Sequence, residues 1–391
     1  MWFVDLARCL LCAAALLLPI GVGSVGVAAG SSQGGATHAG RSAEPVPAVQ
    51  PQPLTLDSFR MGDPPCYDRS VQLQTAILDT HVHFRPFGGP AVPFDEVVEY
   101  FEATGVLFAN VYGIGQMLPA SSSCTYYLDC PGTPVTPTLK NDFVNAANVV
   151  VKTPKSLHLT LSMAFPDLSD PGSVLAGVQL LDAEYPGLFR WMGEVNLVKQ
   201  ALFDNGHEPV PAATIPEWAP FMELLWDRGI PLAVHADLGS DDEPTRYLPL
   251  MQEVLRRYPE NAIVWVHMGL SRELTTMDPA RHLALMVSLL DRHPNLMLDI
   301  AWRVIDDAYF STPRGRAVYV PFLNAYSDRI LPGTDFLASR DKDLEVYREE
   351  LEVTGRIHRY LNDDAFRNIA LGENYFRLLG LPYRAPPVCS R

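Results

Sequence analysis

Two histidines one residue apart, His81 and His83, close a short apolar run in the stretch Ala76-Ile77-Leu78-Asp79-Thr80-His81-Val82-His83. In a β-strand, residues two apart point to the same side. Both imidazoles therefore project together, with Asp79 on that side one step earlier. Two adjacent imidazoles are half of a divalent-metal site. Alone, the pair reads equally well as exposed strand histidines, so the remainder of the chain has to supply the other half.

Three more apolar runs end in residues that can bind a metal or move a proton. Ile230-Pro231-Leu232-Ala233-Val234 leads into His235, and Ala262-Ile263-Val264-Trp265-Val266 leads into His267. Arg329-Ile330-Leu331-Pro332-Gly333-Thr334 leads into Asp335. Continuous apolar runs of this length suit strands buried on both faces of a parallel sheet. Each is followed by a polar turn and a helix-like segment. In a (β/α)8 barrel the C-terminal ends of all strands meet at one mouth, where catalytic sites sit.

The elements that would position these groups can be laid out along the chain. Strands are expected at Ala76–Phe84, Val106–Tyr112, His158–Phe165, Phe189–Asn196, Ile230–His235, Ala262–His267, Leu296–Ile300 and Ile330–Asp335. Apolar spacing of three and four places helices between them, at Phe94–Thr104, Asn141–Lys152, Gly172–Glu184, Trp218–Arg228, Thr245–Tyr258, Pro279–Arg292 and Ala317–Tyr326. Asp341–Leu351, Asp364–Leu371 and Glu373–Leu379 complete the helical set. A doubly wound open sheet shows the same alternation, but no Gly-x-Gly-x-x-Gly turn follows the first strand, and eight units favour closure. The expected fold is a single-domain TIM barrel of the α/β class. The long segment Tyr112–Pro137 after the second strand has the length of a functional lid; it reads as a cap over the mouth or as a stapled surface excursion.

Residues 1–29 have the look of a secretory signal peptide. Leu10 to Gly30 is almost wholly apolar, Arg8 precedes it, and Val27-Ala28-Ala29 offers small residues for cleavage. An uncleaved anchor is the competing reading, which Pro19 and the glycines disfavour. Residues 30–56, rich in Gly, Ser, Ala, Pro and Gln, read as a disordered tether, and 57–391 as the barrel. The net charge is -15, and the leader removes one acid and one base, so the mature charge is the same. With no basic cluster, nucleic acid is not an expected partner. Nor is the membrane once the leader is cleaved. Of 6 cysteines, Cys66, Cys124, Cys130 and Cys389 remain after the leader. In an exported, periplasmic or secreted chain an even number suggests disulfides. Cys124–Cys130 within one loop, with Cys66–Cys389 across the two ends, is the simplest of three pairings.

Taken in order, several motifs resemble the amidohydrolase-2 branch of the amidohydrolase superfamily. That branch includes aminocarboxymuconate-semialdehyde decarboxylase as well as hydrolases and lactonases. They are Asp79-Thr80-His81-Val82-His83, Val234-His235, Val266-His267-Met268-Gly269, Met297-Leu298-Asp299-Ile300 and Gly333-Thr334-Asp335-Phe336. Gly372 to Gly380 is similar to that branch's closing helix, so the resemblance runs from Ala76 to Leu381.

The resemblance implies one divalent metal held by His81, His83, His235 and Asp335, with zinc the expected ion and manganese or iron as alternatives. Such an ion acidifies a water and polarises a substrate oxygen. Asp335 would then move the water's proton to a leaving group. His267 would carry a proton or hold an oxyanion. Glu194 stands where relatives place a fourth-strand residue, in some a modified lysine bridging two metals. It reads as an orienting, bridging or core carboxylate. The nearest lysine here, Lys199, is five positions further on.

Arg85, Tyr112, Trp302, Arg303 and Arg340 are candidates for binding the substrate. The expected activity is hydrolysis of an amide, ester or lactone bond in a small organic substrate. A non-oxidative decarboxylase of a small acid is the alternative, and an inactive barrel used as a binding module is a third reading. An oligomer is left open.

Overall fold

The computed structural model describes residues 53–390 apart from 61, 63 and 74. The expected leader, and the tether up to residue 52, lie outside the described residues. The last part of the expected tether is already packed: Leu56 is buried in the core beside Phe59.

Eight β/α units form the body. The strands are β1 (Leu78–His83), β2 (Phe108–Tyr112), β3 (His158–Met163), β4 (Phe189–Val198), β5 (Leu232–Ala236), β6 (Ile263–Trp265), β7 (Leu296–Asp299), β8 (Ile330–Leu331) and β9 (Phe336–Leu337). All neighbouring pairs in the sheet are parallel, and β1 through β8 follow one another in sequence order. β8 pairs with β7, and β9, a few residues later on the same segment, pairs with β1. One segment thus touches both edges, and the sheet closes into a (β/α)8 barrel. Central strand residues such as Val82, Val111, Met192, Val234 and Val264 are almost completely buried, as expected for strands covered on both faces.

Helices α1 (Phe94–Thr104), α2 (Lys140–Lys152), α3 (Val174–Glu184), α4 (Ala219–Arg228), α5 (Leu248–Arg257), α6 (Pro279–Arg292), α7 (Pro313–Ala325) and α8 (Leu344–Gly355) wrap the outside. Their ends follow local chemistry. α6 starts at Asp278, whose carboxylate accepts the backbone N–H of Ala280 and Arg281, with Pro279 at the first helical position. α8 is capped the same way by Asp343. Asp363–Ile369 and Glu373–Leu378 close the chain.

The structure departs from the strand expectations at the ends that matter. β6 stops at Trp265; His267 and Met268 then take φ of 56° and 52°. The eighth strand is interrupted between Leu331 and Phe336, with Asp335 at φ 58°. β4 runs on to Val198, past the expected end at Asn196, and its register with β5 slips twice. No helix among the described residues is long and apolar enough to cross a membrane.

Candidate metal centre

The C-terminal ends of β1, β4, β5 and the segments after β6 and β8 bring six titratable side chains together. His81 and His83 leave β1 on the same side, and their Nε2 atoms lie 3.2 Å apart. Each ring is fixed from behind. His81 Nδ1 lies 2.8 Å from Asp299 Oδ2, and His83 Nδ1 lies 2.9 Å from the Gly113 carbonyl. A carbonyl can only accept, so His83 Nδ1 carries the proton and Nε2 keeps its lone pair. Asp299 does the same for His81. This is the arrangement in which a partner behind the ring fixes a ligand's tautomer and orientation. Asp335 Oδ1 lies 3.4 Å from His81 Nε2 and 3.3 Å from His83 Nε2. Glu194 Oε2 lies 3.8 Å and 3.3 Å from the same two atoms.

Two imidazole lone pairs aimed at each other, flanked by two carboxylates, call for a cation between them. Electrostatics point the same way. Burial pushes the His81 pKa down, but Asp299, Glu194 and Asp335 outweigh it and hold it well above the ordinary range. Burial likewise pushes the Asp335 and Glu194 carboxyls up. Their histidine neighbours, and for Glu194 first Lys199, hold both well below the usual carboxylate range. A field that favours protons on imidazole favours a divalent cation there as well. Two imidazoles and two carboxylates within reach of one point suit zinc.

A second group adjoins the first. Glu194, His235 and His267 also offer donor atoms within 4.8 Å of one another. His235 Nε2 lies 2.9 Å from Asp237 Oδ1, leaving Nδ1 to face Glu194 Oε1, with which it is in contact. His267 Nδ1 lies 3.0 Å from the Ala301 carbonyl, which frees its Nε2 lone pair to face Asp335 Oδ2 at 3.8 Å. Burial pushes the His267 pKa down to about 4, so the ring is neutral and its inner nitrogen accepts rather than donates. Holding a developing oxyanion would need a donor there, so of the two expected roles the geometry fits the proton carrier.

His81, His83 and Asp335 thus meet as expected, but their fourth companion is Glu194, while His235 belongs to the neighbouring group. Asp79 is a clamp: its carboxylate accepts the N–H and hydroxyl of Thr334 and the hydroxyl of Tyr347, tying β1 to the eighth segment. Gly333 is required for that crossing, because a Cβ there would lie 2.8 Å from His81 Cβ.

The centre opens into a cavity of about 680 Å³. Trp302 and Arg340 line it, whereas Arg85 bonds Asn141 beside a separate, smaller cavity. Tyr112 packs behind His81, ring centres 4.4 Å apart. Arg303 pairs with Asp307, Glu349 and Glu350. Among the described residues four non-glycine residues have positive φ, namely His267, Met268, Trp302 and Asp335, and three of them face this cavity. Such conformations cost on the order of 1–3 kcal/mol each and gather at functional sites.

The loop after β2 forms one wall. A hairpin of Gln116–Met117 with Thr136–Pro137 anchors it, and Cys124 and Cys130 are joined, as are Cys66 and Cys389. Thr125, Tyr126, Tyr127 and Asp129 face the cavity. Asp237 and Arg272 are absent from the sequence expectations, and Lys199 and Asp299 stand there without a role in the site. Asp299 ends an apolar strand as His83 does, and that was its available signal.

A family model described as Amidohydrolase matches residues 78–380. Among solved structures the chain is similar to a zinc-bound amidohydrolase from Burkholderia multivorans, at 15% identity, 78% of this chain, 99% of that one and TM-score 0.51. It is also similar to a dihydroorotase from Campylobacter jejuni (14% identity, 79% and 84% covered, TM-score 0.47). A 4-oxalomesaconate hydratase from Rhodopseudomonas palustris aligns at 15% identity, 78% and 96% coverage and TM-score 0.44. No curated protein matches. With the model spanning nearly the whole barrel and the first of these structures sharing its fold, the chain belongs to the amidohydrolase family.

Proposed function

We propose that the protein is a metal-dependent hydrolase that cleaves an amide, ester or lactone bond of a small organic acid. The observation that carries this reading is the pair of facing Nε2 lone pairs on His81 and His83, with Glu194 and Asp335 completing a four-donor set. Those four residues would hold the ion, and zinc, which the Burkholderia neighbour binds, suits them. The ion supplies Lewis acidity and lowers the pKa of a water. Asp335, ionised and partly open to the cavity, would accept the proton of a water that attacks the substrate carbonyl. It would then give that proton to the departing nitrogen or oxygen as the bond to carbon breaks. His267, neutral with its Nε2 facing Asp335, provides the alternative proton acceptor during that transfer.

Arg272, whose guanidinium carbon lies 5.7 Å over the Trp302 ring, shares the cavity wall with Arg340 and Lys342. Together they favour a substrate with a carboxylate. The same wall favours the second reading, a carboxy-lyase acting on an acid at this centre. The net charge of -15 supports a small-molecule substrate over nucleic acid, and the two cysteine pairs support an exported location.

Zinc-, manganese- and iron-loaded protein should be assayed on lactones, esters and amides of small carboxylic acids, with CO₂ release followed in parallel. His83→Ala serves as the control and should lose at least about a hundredfold in turnover, because the Lewis acid supplies several kcal/mol. Turnover with CO₂ release would select the carboxy-lyase. Turnover unchanged in His83→Ala would remove the metal from the mechanism.

A further inference from the structure

We infer that the Lys199 ammonium stands in the place of a second divalent cation, so that this centre is built for one metal. The inference rests on the metal-centre reading above. Glu194 Oε1, His235 Nδ1 and His267 Nε2 are the three donors a second ion would use. Two of them are already engaged by Lys199, whose Nζ lies 2.9 Å from Glu194 Oε1 and 3.2 Å from His235 Nδ1. Lys199 is 8% exposed. Its backbone is pinned where β4 ends: the Lys199 N–H bonds His207 Nε2 at 3.1 Å, and its carbonyl accepts the Leu202 N–H at 3.0 Å. The Phe87 ring covers the ammonium at 5.5 Å from the ring centre.

An ammonium in this place offers fixed N–H donors and one positive charge. It orients Glu194 so that Oε2 faces His81 and His83, and it holds His235 with its Nε2 toward Asp237. It cannot activate a second water. Lys199 is therefore a positioning residue for the single metal.

The test is metal stoichiometry on untagged, full-length protein exchanged against excess zinc and then desalted, with bound metal measured by mass spectrometry. Wild type should hold about one zinc per chain. Lys199→Met, which keeps the length and removes the charge, should hold about two, the second reporting on Glu194, His235 and His267. Lys199→Arg should remain at about one. Substituted with cobalt, Lys199→Met should show spin coupling between two ions and wild type should not. Two zinc ions in wild type would overturn the inference while leaving the metal centre standing. A single zinc in folded Lys199→Met would also overturn it. No zinc in wild type would overturn the metal centre and this inference with it. If Lys199→Met does not fold, the wild-type count still decides.

Discussion

At the scale of the residue, His267 separates chemistry from ligation. Its outer nitrogen is committed to the Ala301 carbonyl, its ring is buried and neutral, and its free nitrogen faces Asp335. With four donors already gathered around the first position, His267 is not needed to hold one metal. His267→Asn should therefore keep the metal and the melting temperature within a few degrees. Its kcat should drop by about a hundred- to ten-thousand-fold, the usual cost of losing a proton-transfer group. Unchanged kcat in folded, metal-loaded variant would make His267 a core residue. Much of this was readable beforehand. His81, His83, His267 and Asp335 follow apolar runs, and strand spacing alone puts the first two side by side. Lys199 was not readable, because it lies five positions after Glu194 and an odd spacing sends side chains to opposite faces of a regular strand. One register slip against β5, between Asn196 and Val198, falls between the two residues, undoes that alternation and returns Lys199 to the mouth. The tautomer of His235 was equally hidden, since it depends on Asp237 two residues on.

At the scale of the element, Ile114, Leu118 and Tyr127 of the loop after β2 form a small core with Phe87 and Leu202 from the loops after β1 and β4, separate from the barrel's. Its length marked it as a lid or an excursion, and its composition could not choose between them. The choice is spatial: Tyr126 and Tyr127 share a cavity with His235 and Asp335. The Cys124–Cys130 bond limits the freedom of this wall, and closing so short a loop contributes about 2 kcal/mol in the chain-entropy view. Replacing both cysteines by serine should loosen the wall without touching the ligands. The expected result is a rise in KM of about tenfold, the equivalent of 1.4 kcal/mol, with metal content nearly unchanged and the melting temperature lower by a few degrees. Loss of metal in that variant would mean that the loop supports the centre itself rather than the substrate. The interruption after β8 has a signal in sequence, the strand-breaking pair Pro332-Gly333, which the expected strand ran through. The reason for the break is spatial: the chain must leave β7, cross over His81 and join β1, which a straight strand cannot do.

At the scale of the whole molecule, closure of the barrel makes one site from residues scattered over more than two hundred positions. β1 is the keystone, paired to β2 on one side and β9 on the other, with Asp79 bonded to Thr334 and Tyr347 behind it. The two ends of the described chain are strapped together beneath, by the Cys66–Cys389 bond and by Tyr67 bridging to Val388. The barrel class was legible because its eight apolar runs alternate with helical spacing; the partition of its histidines between two adjoining groups needed the closed geometry. On the function proposed above, this closure creates one cation position among His81, His83, Glu194 and Asp335. The direct measurement is anomalous X-ray diffraction at the zinc edge on crystals of zinc-loaded wild-type protein. One strong peak per chain is expected, within about 2.0–2.2 Å of the two imidazole nitrogens and the two carboxylates. No peak at that position, or peaks at surface carboxylates alone, would rule that cation position out.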